Sequence, residues 1–398
     1  MVVVSDLPSA LRLPKRHFNA LDLSRLFAAV AVLFWHYLHF TIPPGNNRAP
    51  ADFGTLEPLH GVFAALYEHG HLAVQYFWIV SGFVFAHVYL GDPAARERFW
   101  TARVARLWPL HLLTLVVVAV LQALYVARVG RSFVFAPNDV THFLLNLGLA
   151  HYWGFQSGMS FNGPSWSLSV EILAYGVFWS LLPMLRERRL GMALLLAGGG
   201  AIAALFSPNL GVWPCLGYFF GGTAAYFVLL RGWHWGWLLP LTAAIGLALA
   251  FRFEPDPQTI FPYGALWVVS LFALALAVDW FDRGDRLAFG RKLGDASYGT
   301  YLWHFPIQLT IVLVLDALPG GRALSQHWQV LAIYLTAALA AGFASHRWFE
   351  RPAQRAVLSA ADRFAQSRLA FARRRVIYLE PALCVPAIQP PPSTRSPA

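Results

Sequence analysis

Residues 21–40 read LDLSRLFAAVAVLFWHYLHF, a stretch long and apolar enough to cross a bilayer that also contains Arg25 and His36. About 20 mostly apolar residues span the hydrocarbon core as a helix. An ionisable side chain at that depth is costly and therefore marks function. Eleven residues at about 100° each return to nearly the same direction, so Arg25 and His36 lie on one helix face, about 16 Å apart along the axis.

The composition extends this interpretation to the whole chain. Hydrophobic residues make up 57% of it and charged residues 13%, against about 45–50% and 25% in soluble domains. We therefore predict an all-α, polytopic integral membrane protein. A shorter amphipathic piece, residues 140–155, is predicted as a re-entrant or surface helix. Ten apolar runs have the length of a transmembrane helix: residues 21–40, 72–90, 107–127, 165–184, 190–206, 212–230, 235–251, 262–281, 296–315 and 328–346.

The basic residues predict the orientation of these helices. With the N-terminus inside, most of the 30 lysines and arginines fall on cytoplasmic segments, as the positive-inside bias requires. Both termini are then cytoplasmic. The net charge of +10 faces an anionic leaflet and needs no nucleic-acid partner. The two cysteines, Cys215 and Cys384, give neither a disulfide framework nor a metal spacing. The outer segments carry only Arg48, Arg128, Arg131, Arg252 and Arg322.

The chain divides into three parts. Residues 1–17 form a cytoplasmic flank that we expect to be retained rather than cleaved. Residues 18–355 contain all the predicted spans. Residues 356–398 turn basic and then proline-rich, which favours a disordered cytoplasmic tail.

Two further apolar segments carry ionisable groups, Glu171 and His304. Together with Arg25 and His36 they suggest one polar cavity within the membrane. Structural alternatives stay open for each residue. Arg25 could snorkel to the inner interface, and His36 and His304 could be hydrogen-bonded packing residues. Glu171 could be a carboxylate near a helix N-terminus that the helix dipole stabilises. Glu350 with Arg351 reads as a structural ion pair at the inner boundary.

Six motifs together resemble acyltransferase family 3, the membrane-bound O-acyltransferases of the surface-polysaccharide acetylase type. The likeness covers roughly residues 18–355 and depends on the order and spacing of the motifs. They are Arg25-x10-His36, FWIVSGF at 77–83, RVARLWPL at 103–110, WSLSVE at 166–171, SYGTYLWHFP at 297–306 and WFERP at 348–352.

The resemblance implies transfer of an acyl group, acetyl in the simplest case, from cytoplasmic acyl-coenzyme A to a hydroxyl of an exported carbohydrate or glycolipid. The donor is a co-substrate; no permanently bound cofactor and no metal is expected. The setting implied is a multi-pass protein of a bacterial inner membrane.

We predict His36 as the catalytic base, because an imidazole titrates near neutral pH. Glu171 would orient His36 through a hydrogen bond, and Arg25 would assist catalysis. Arg103 and Arg106, one turn apart at the inner mouth of their helix, would bind the phosphates of coenzyme A together with Arg25. The alternative for Arg103 and Arg106 is that they contribute only to the positive-inside charge bias.

Several further residues are substrate or structural candidates, and the mechanism keeps alternatives. His36 acts either as a base or as a transient acyl carrier. A proton-coupled secondary transporter also buries Arg, His and Glu in its helices, although we find no repeat of the Arg25 and His36 arrangement in the second half. The oligomeric state is not indicated. The additional candidates are Ser81, Gly82, Trp166, Ser167, Tyr301 and His304.

Overall fold

The computed structural model describes residues 13, 17–43, 56–92, 94–207, 211–252, 260–282 and 284–379. Most of the predicted N-terminal flank and the proline-rich residues 380–398 lie outside them. The described residues form helices and no strand, which confirms the predicted fold class. The helices are α1 (Asn19–His36), α2 (His60–His69), α3 (Leu72–Tyr89), α4 (Phe99–Val129), α5 (Val140–Leu147), α6 (Trp166–Phe206), α7 (Val212–Gly232), α8 (Leu239–Arg252), α9 (Ile260–Phe281), α10 (Phe289–Asp295), α11 (Ser297–Leu315), α12 (Trp328–Ser345) and α13 (Arg351–Leu379).

Eight helical segments in the described part of the chain are long and apolar enough to cross a membrane. Two of them, Gly163–Phe206 and Val212–Arg252, contain 44 and 41 residues, about 60 Å at 1.5 Å per residue and so roughly twice the hydrocarbon thickness. Each is interrupted midway. Arg189 leaves the helical conformation at φ 47°, and a 3₁₀ turn at Trp233–Leu238 separates α7 from α8. Divided at these breaks, the segments fit the ten predicted crossings.

Helix α1 occupies a central position and contacts α2, α3, α9, α10 and α11. Its N-terminus is held by Asp279 on α9, which is 1% exposed. The Asp279 carboxylate accepts hydrogen bonds from the backbone N–H groups of Ala20 and Leu21 at 3.1 and 2.9 Å. A carboxylate at this end satisfies free N–H groups and complements the helix dipole. The depth of Arg25 and His36 is fixed in this way.

Helix α5 is short, as the sequence predicts for that segment. Trp108 and His111 on α4 reach the carbonyl oxygens of Leu147 and Asn146, at 3.0 and 2.8 Å. His111 is the thirteenth residue of α4, about 18 Å from its start. The end of α5 therefore lies beside the middle of α4, as in a re-entrant segment.

Helix α13 runs through the first part of the predicted tail. Residues 356–379 of the predicted tail are helical in the structure. An ion pair of 3.5 Å between Asp362 and Arg98 of the segment before α4 contributes to this. Composition alone did not reveal that contact.

Helices α3 and α7 pack at close range through two glycines. A Cβ at Gly82 would overlap the carbonyl oxygen of Phe219, and a Cβ at Gly222 would overlap that of Ile79. The Thr223 hydroxyl donates to the Gly82 carbonyl at 3.1 Å. Small residues at a helix interface permit such backbone contact in membranes. Gly82, a candidate substrate residue from its motif, is thus accounted for by packing.

We expect Gly82→Ala to lower the free energy of unfolding in detergent by about 1–3 kcal/mol, because the added methyl group forces α3 and α7 apart. Gly221→Ala on α7 is the matched control, since a Cβ there meets nothing within 4 Å. Denaturant or thermal unfolding of the purified protein measures both. Equal stability of the two variants would contradict the close-packing account.

Candidate functional site

A polar cavity of about 440 Å³ lies between α1, α3, α4, α6 and α11 and extends to the end of α10 and the start of α13. Residues from seven of the described helices line it, so its charged groups come from distant parts of the sequence. The cavity brings most of the predicted site residues together. The polar residues that line it are Arg25, Ser81, Arg103, Arg106, Ser167, Glu171, Asp295, Ser297, Tyr298, Tyr301, His346, Arg351 and Gln354.

The arginines of the cavity differ in their partners. Arg106 forms a 3.0 Å ion pair with Glu350, whose side chain is 3% exposed, and Arg25 lies 3.6 Å from Asp22. Arg103 has no carboxylate within 4 Å among the described residues. Its guanidinium lies 4.9 Å from the ring centroid of Phe85. Arg103 is therefore the cavity arginine whose charge remains available to a ligand.

Glu350 does not pair with Arg351, contrary to the sequence prediction. Glu350 is turned towards Arg106, and Arg351 lies 3.3 Å from Asp295. A short π-helical turn at His346–Glu350 precedes α13. Glu350 and Arg351 thus take partners on two different helices, α4 and α10, which their adjacent positions in the sequence do not reveal.

Glu171 lies in the cavity wall rather than beside His36. Its carboxylate accepts a 2.9 Å hydrogen bond from the Tyr175 hydroxyl, one turn further along α6, and Ser81 is a second hydrogen-bond partner. The Nδ1 atom of His36 instead donates to the Val32 carbonyl at 2.9 Å. The Glu171–His36 hydrogen bond suggested from sequence is not formed in this structure.

Ser167 and Tyr301 form a hydrogen-bonded pair in the cavity wall. The Tyr301 hydroxyl donates to the Pro164 carbonyl, and the Ser167 hydroxyl lies 2.8 Å from the Tyr301 oxygen. A carbonyl can only accept, so Ser167 donates to Tyr301. Trp166 does not line the cavity. It packs edge-on against Trp78 with ring centroids 5.8 Å apart.

His36 and His304 lie next to each other and do not line the cavity. His304 follows Tyr301 by one turn of α11, and its ring centroid lies 4.9 Å from that of His36. His304 is fully buried, whereas His36 is half-buried. Glu171, four residues further into α6 than Ser167, lies on the other side of the Ser167–Tyr301 pair. The difference in depth explains the missing contact between Glu171 and His36.

Sequence reasoning missed two polar residues of this region, His39 and Gln308. His39 lies one turn after His36, and Gln308 lies one turn after His304. Both are buried, at 6% and 0% exposed. Their spacing from the two motif histidines is the signal that could have identified them.

Fold and site together define a polytopic membrane protein with a cation-rich cavity inside the bilayer. The family model described as an acyltransferase domain matches residues 18–347. The chain therefore belongs to acyltransferase family 3, as its motifs predict, and is a transferase of acyl groups.

Curated relatives agree with this assignment. The chain is similar to the putative membrane-bound transacylase BcsY of Komagataeibacter xylinus, 25% identical over 271 residues, which are 60% of this chain and 66% of that protein. It is 26% identical to acyltransferase MdmB of Streptomyces mycarofaciens over 87% of this chain and 93% of MdmB. It is 24% identical to nodulation protein 10 of Rhizobium leguminosarum bv. viciae, over 75% of this chain and 85% of that protein. No solved structure matches.

We expect Glu350→Gln to lower the free energy of unfolding by about 1.5–3 kcal/mol, because Arg106, whose side chain is 20% exposed, then loses its hydrogen-bonded counter-charge. The control is Asp362→Asn, which removes the exposed pair with Arg98 and should cost less than about 1 kcal/mol. Unfolding of the detergent-solubilised protein distinguishes the two. A smaller effect for Glu350→Gln than for the control would contradict the structural role of the pair.

Proposed function

We propose that the protein transfers an acyl group, acetyl in the simplest case, from cytoplasmic acyl-coenzyme A to a hydroxyl of an exported or surface carbohydrate. The observation that carries the proposal is the arrangement of the cavity. Unpaired Arg103 and the Ser167–Tyr301 pair line it, and His304, one turn after Tyr301 on α11, lies beside His36 outside it.

Donor binding is assigned to the end of the cavity that the basic loops predict as cytoplasmic. Coenzyme A presents phosphates, and a guanidinium binds phosphate through paired, charge-assisted hydrogen bonds. Arg103 has its charge free for this contact, whereas Arg106 is engaged by Glu350. Arg25 lines the cavity beside Asp22 and is placed for the same negatively charged donor. We therefore assign Arg103 and Arg25 to the donor and give Arg106 a supporting role.

The acyl group would lie near Ser167 and Tyr301, where the cavity ends. Seven residues of α11 separate Ser297 from His304, about 10 Å along the helix. A slender pantetheine chain could cover that distance from the phosphates. Arg25 lies about 16 Å from His36 along α1, too far to contact both the reacting carbonyl and His36. This distance favours a donor-binding role for Arg25 over a direct part in the chemistry.

His36 is assigned as the base for the acceptor hydroxyl. Because its Nδ1 donates to the Val32 carbonyl, its Nε2 carries the lone pair in the neutral ring. The hydroxyl oxygen attacks the thioester carbonyl, the C–S bond breaks, and the hydroxyl proton passes to Nε2. Protonation of the departing sulfur completes the exchange. A site screened from bulk water strengthens the hydrogen bonds that stabilise the oxyanion.

The direct test is turnover by the full-length protein in lipid vesicles with acetyl-coenzyme A and a glycan acceptor. We expect donor-dependent addition of an acetyl mass to the glycan, and a loss of about 10²–10⁴-fold in kcat for His36→Gln. The matched control is His87→Gln, because His87 on α3 does not line the cavity. Acceptor movement across the vesicle membrane without any requirement for acetyl-coenzyme A would favour a carrier instead.

Arg103→Ala tests donor binding separately. We expect the KM for acetyl-coenzyme A to rise by about 10-fold or more, since one charge-assisted contact contributes about 1.5–3 kcal/mol. Acetyl-pantetheine lacks the nucleotide phosphates, so Arg103→Ala should leave its KM unchanged. Arg188→Ala is the control because Arg188 is exposed on the same predicted face of the membrane. An equal rise in KM for both donors would contradict phosphate binding by Arg103.

A further inference from the structure

Three imidazoles meet beyond the end of the polar cavity. The ring centroid of His36 lies 4.9 Å from that of His304 and 5.2 Å from that of His39. His39 is 6% exposed and His304 is 0% exposed. His36 alone of the three is half-buried, so it is the member that a substrate can reach.

The hydrogen bonds assign the proton to the same nitrogen in all three rings. Nδ1 of His36 donates to the Val32 carbonyl, and Nδ1 of His304 donates to the Tyr301 carbonyl. Gln308 donates through Nε2 to the His36 carbonyl at 2.7 Å. Its Oε1 must therefore accept from Nδ1 of His39, at 3.0 Å. Each neutral ring is left with an unprotonated Nε2.

Gln308 connects two members of the cluster. His36 is the last residue of α1, and a 3₁₀ turn at Tyr37–Thr41, which contains His39, follows it directly. By donating to the His36 carbonyl and accepting from the His39 ring, the fully buried Gln308 side chain fixes both residues relative to α11. The cluster is thus built by three elements rather than by one helix.

The Nε2 atom of His304 has no hydrogen-bond partner in the structure, although it is buried. A buried acceptor without a donor is costly, by about 1–3 kcal/mol. The neighbouring His36 acquires a donor when its Nε2 takes up a proton. The unpaired acceptor on His304 would be satisfied in that state and not before.

We propose that His304 stabilises protonated His36 by accepting a hydrogen bond at Nε2, and that Gln308 and His39 hold the two rings in position. This inference depends on the proposed acyl transfer and deepens it. His304 then takes the role that the sequence analysis predicts for Glu171, a hydrogen bond that orients His36. The proton leaves the acceptor hydroxyl, resides on His36 while shared with His304, and ends on the coenzyme A sulfur. No other reactant is required.

Vesicle-reconstituted full-length variants test the proposal. His304→Ala should lower kcat by about 10²-fold or more while the KM for acetyl-coenzyme A stays unchanged. His304→Gln should lose less, because its amide oxygen can still accept a hydrogen bond. Combining His304→Ala with His36→Gln should give no further loss beyond that of His36→Gln, since the two residues act as a unit.

Two results would overturn the inference while leaving acyl transfer intact: full kcat in His304→Ala, or losses that multiply in the double variant. Absence of acetyl transfer by the unaltered protein would instead refute the proposed function. A measurement independent of turnover covers variants that fail to fold. In ¹⁵N-histidine-labelled protein, His304 should show an unprotonated Nε2 and a protonated Nδ1; the opposite tautomer would contradict the proposal.

Discussion

The cost of a charge in hydrocarbon governs this structure. A cation at membrane depth must be paired, hydrated or used, because the lipid offers it no partner. Arg106 is paired with Glu350, whose side chain is 3% exposed. The helices are arranged so that their charged residues turn towards one cavity or towards one another. Arg103 is the exception within the cavity, and the donor assignment follows from it.

The Ser167–Tyr301 pair organises the site by dividing it. On one side lie the cationic cavity and Glu171, and on the other lie His304 and His36. A donor with a charged head and a slender reactive arm suits such a division, because the head stays among the arginines while the thioester reaches the end of the cavity. An acceptor that approaches His36 from the opposite side would meet the acyl group at that boundary.

The spans and the relation between Arg25 and His36 could be predicted from the sequence, because helix periodicity and hydrophobic length are local properties. Which residues form ion pairs and hydrogen bonds with one another could not be predicted from the sequence. Glu350 pairs with Arg106 across 244 residues, and its neighbour Arg351 pairs with Asp295. The motif identifies Glu171 whether or not it lies beside His36. Its depth relative to His36 depends on how α6 and α11 pack. The sequence analysis did not identify His39 and Gln308, because their proximity to His36 and His304 exists only in the folded structure.

The most direct measurement is an experimental structure of the protein in a lipid nanodisc with a non-hydrolysable acyl-coenzyme A thioether. The account predicts phosphate density within hydrogen-bonding distance of Arg103, with the sulfur and acyl group beside Ser167 and Tyr301 and within reach of His36. A ligand whose phosphates lie away from Arg103, or whose acyl group points into lipid away from the histidines, would contradict it.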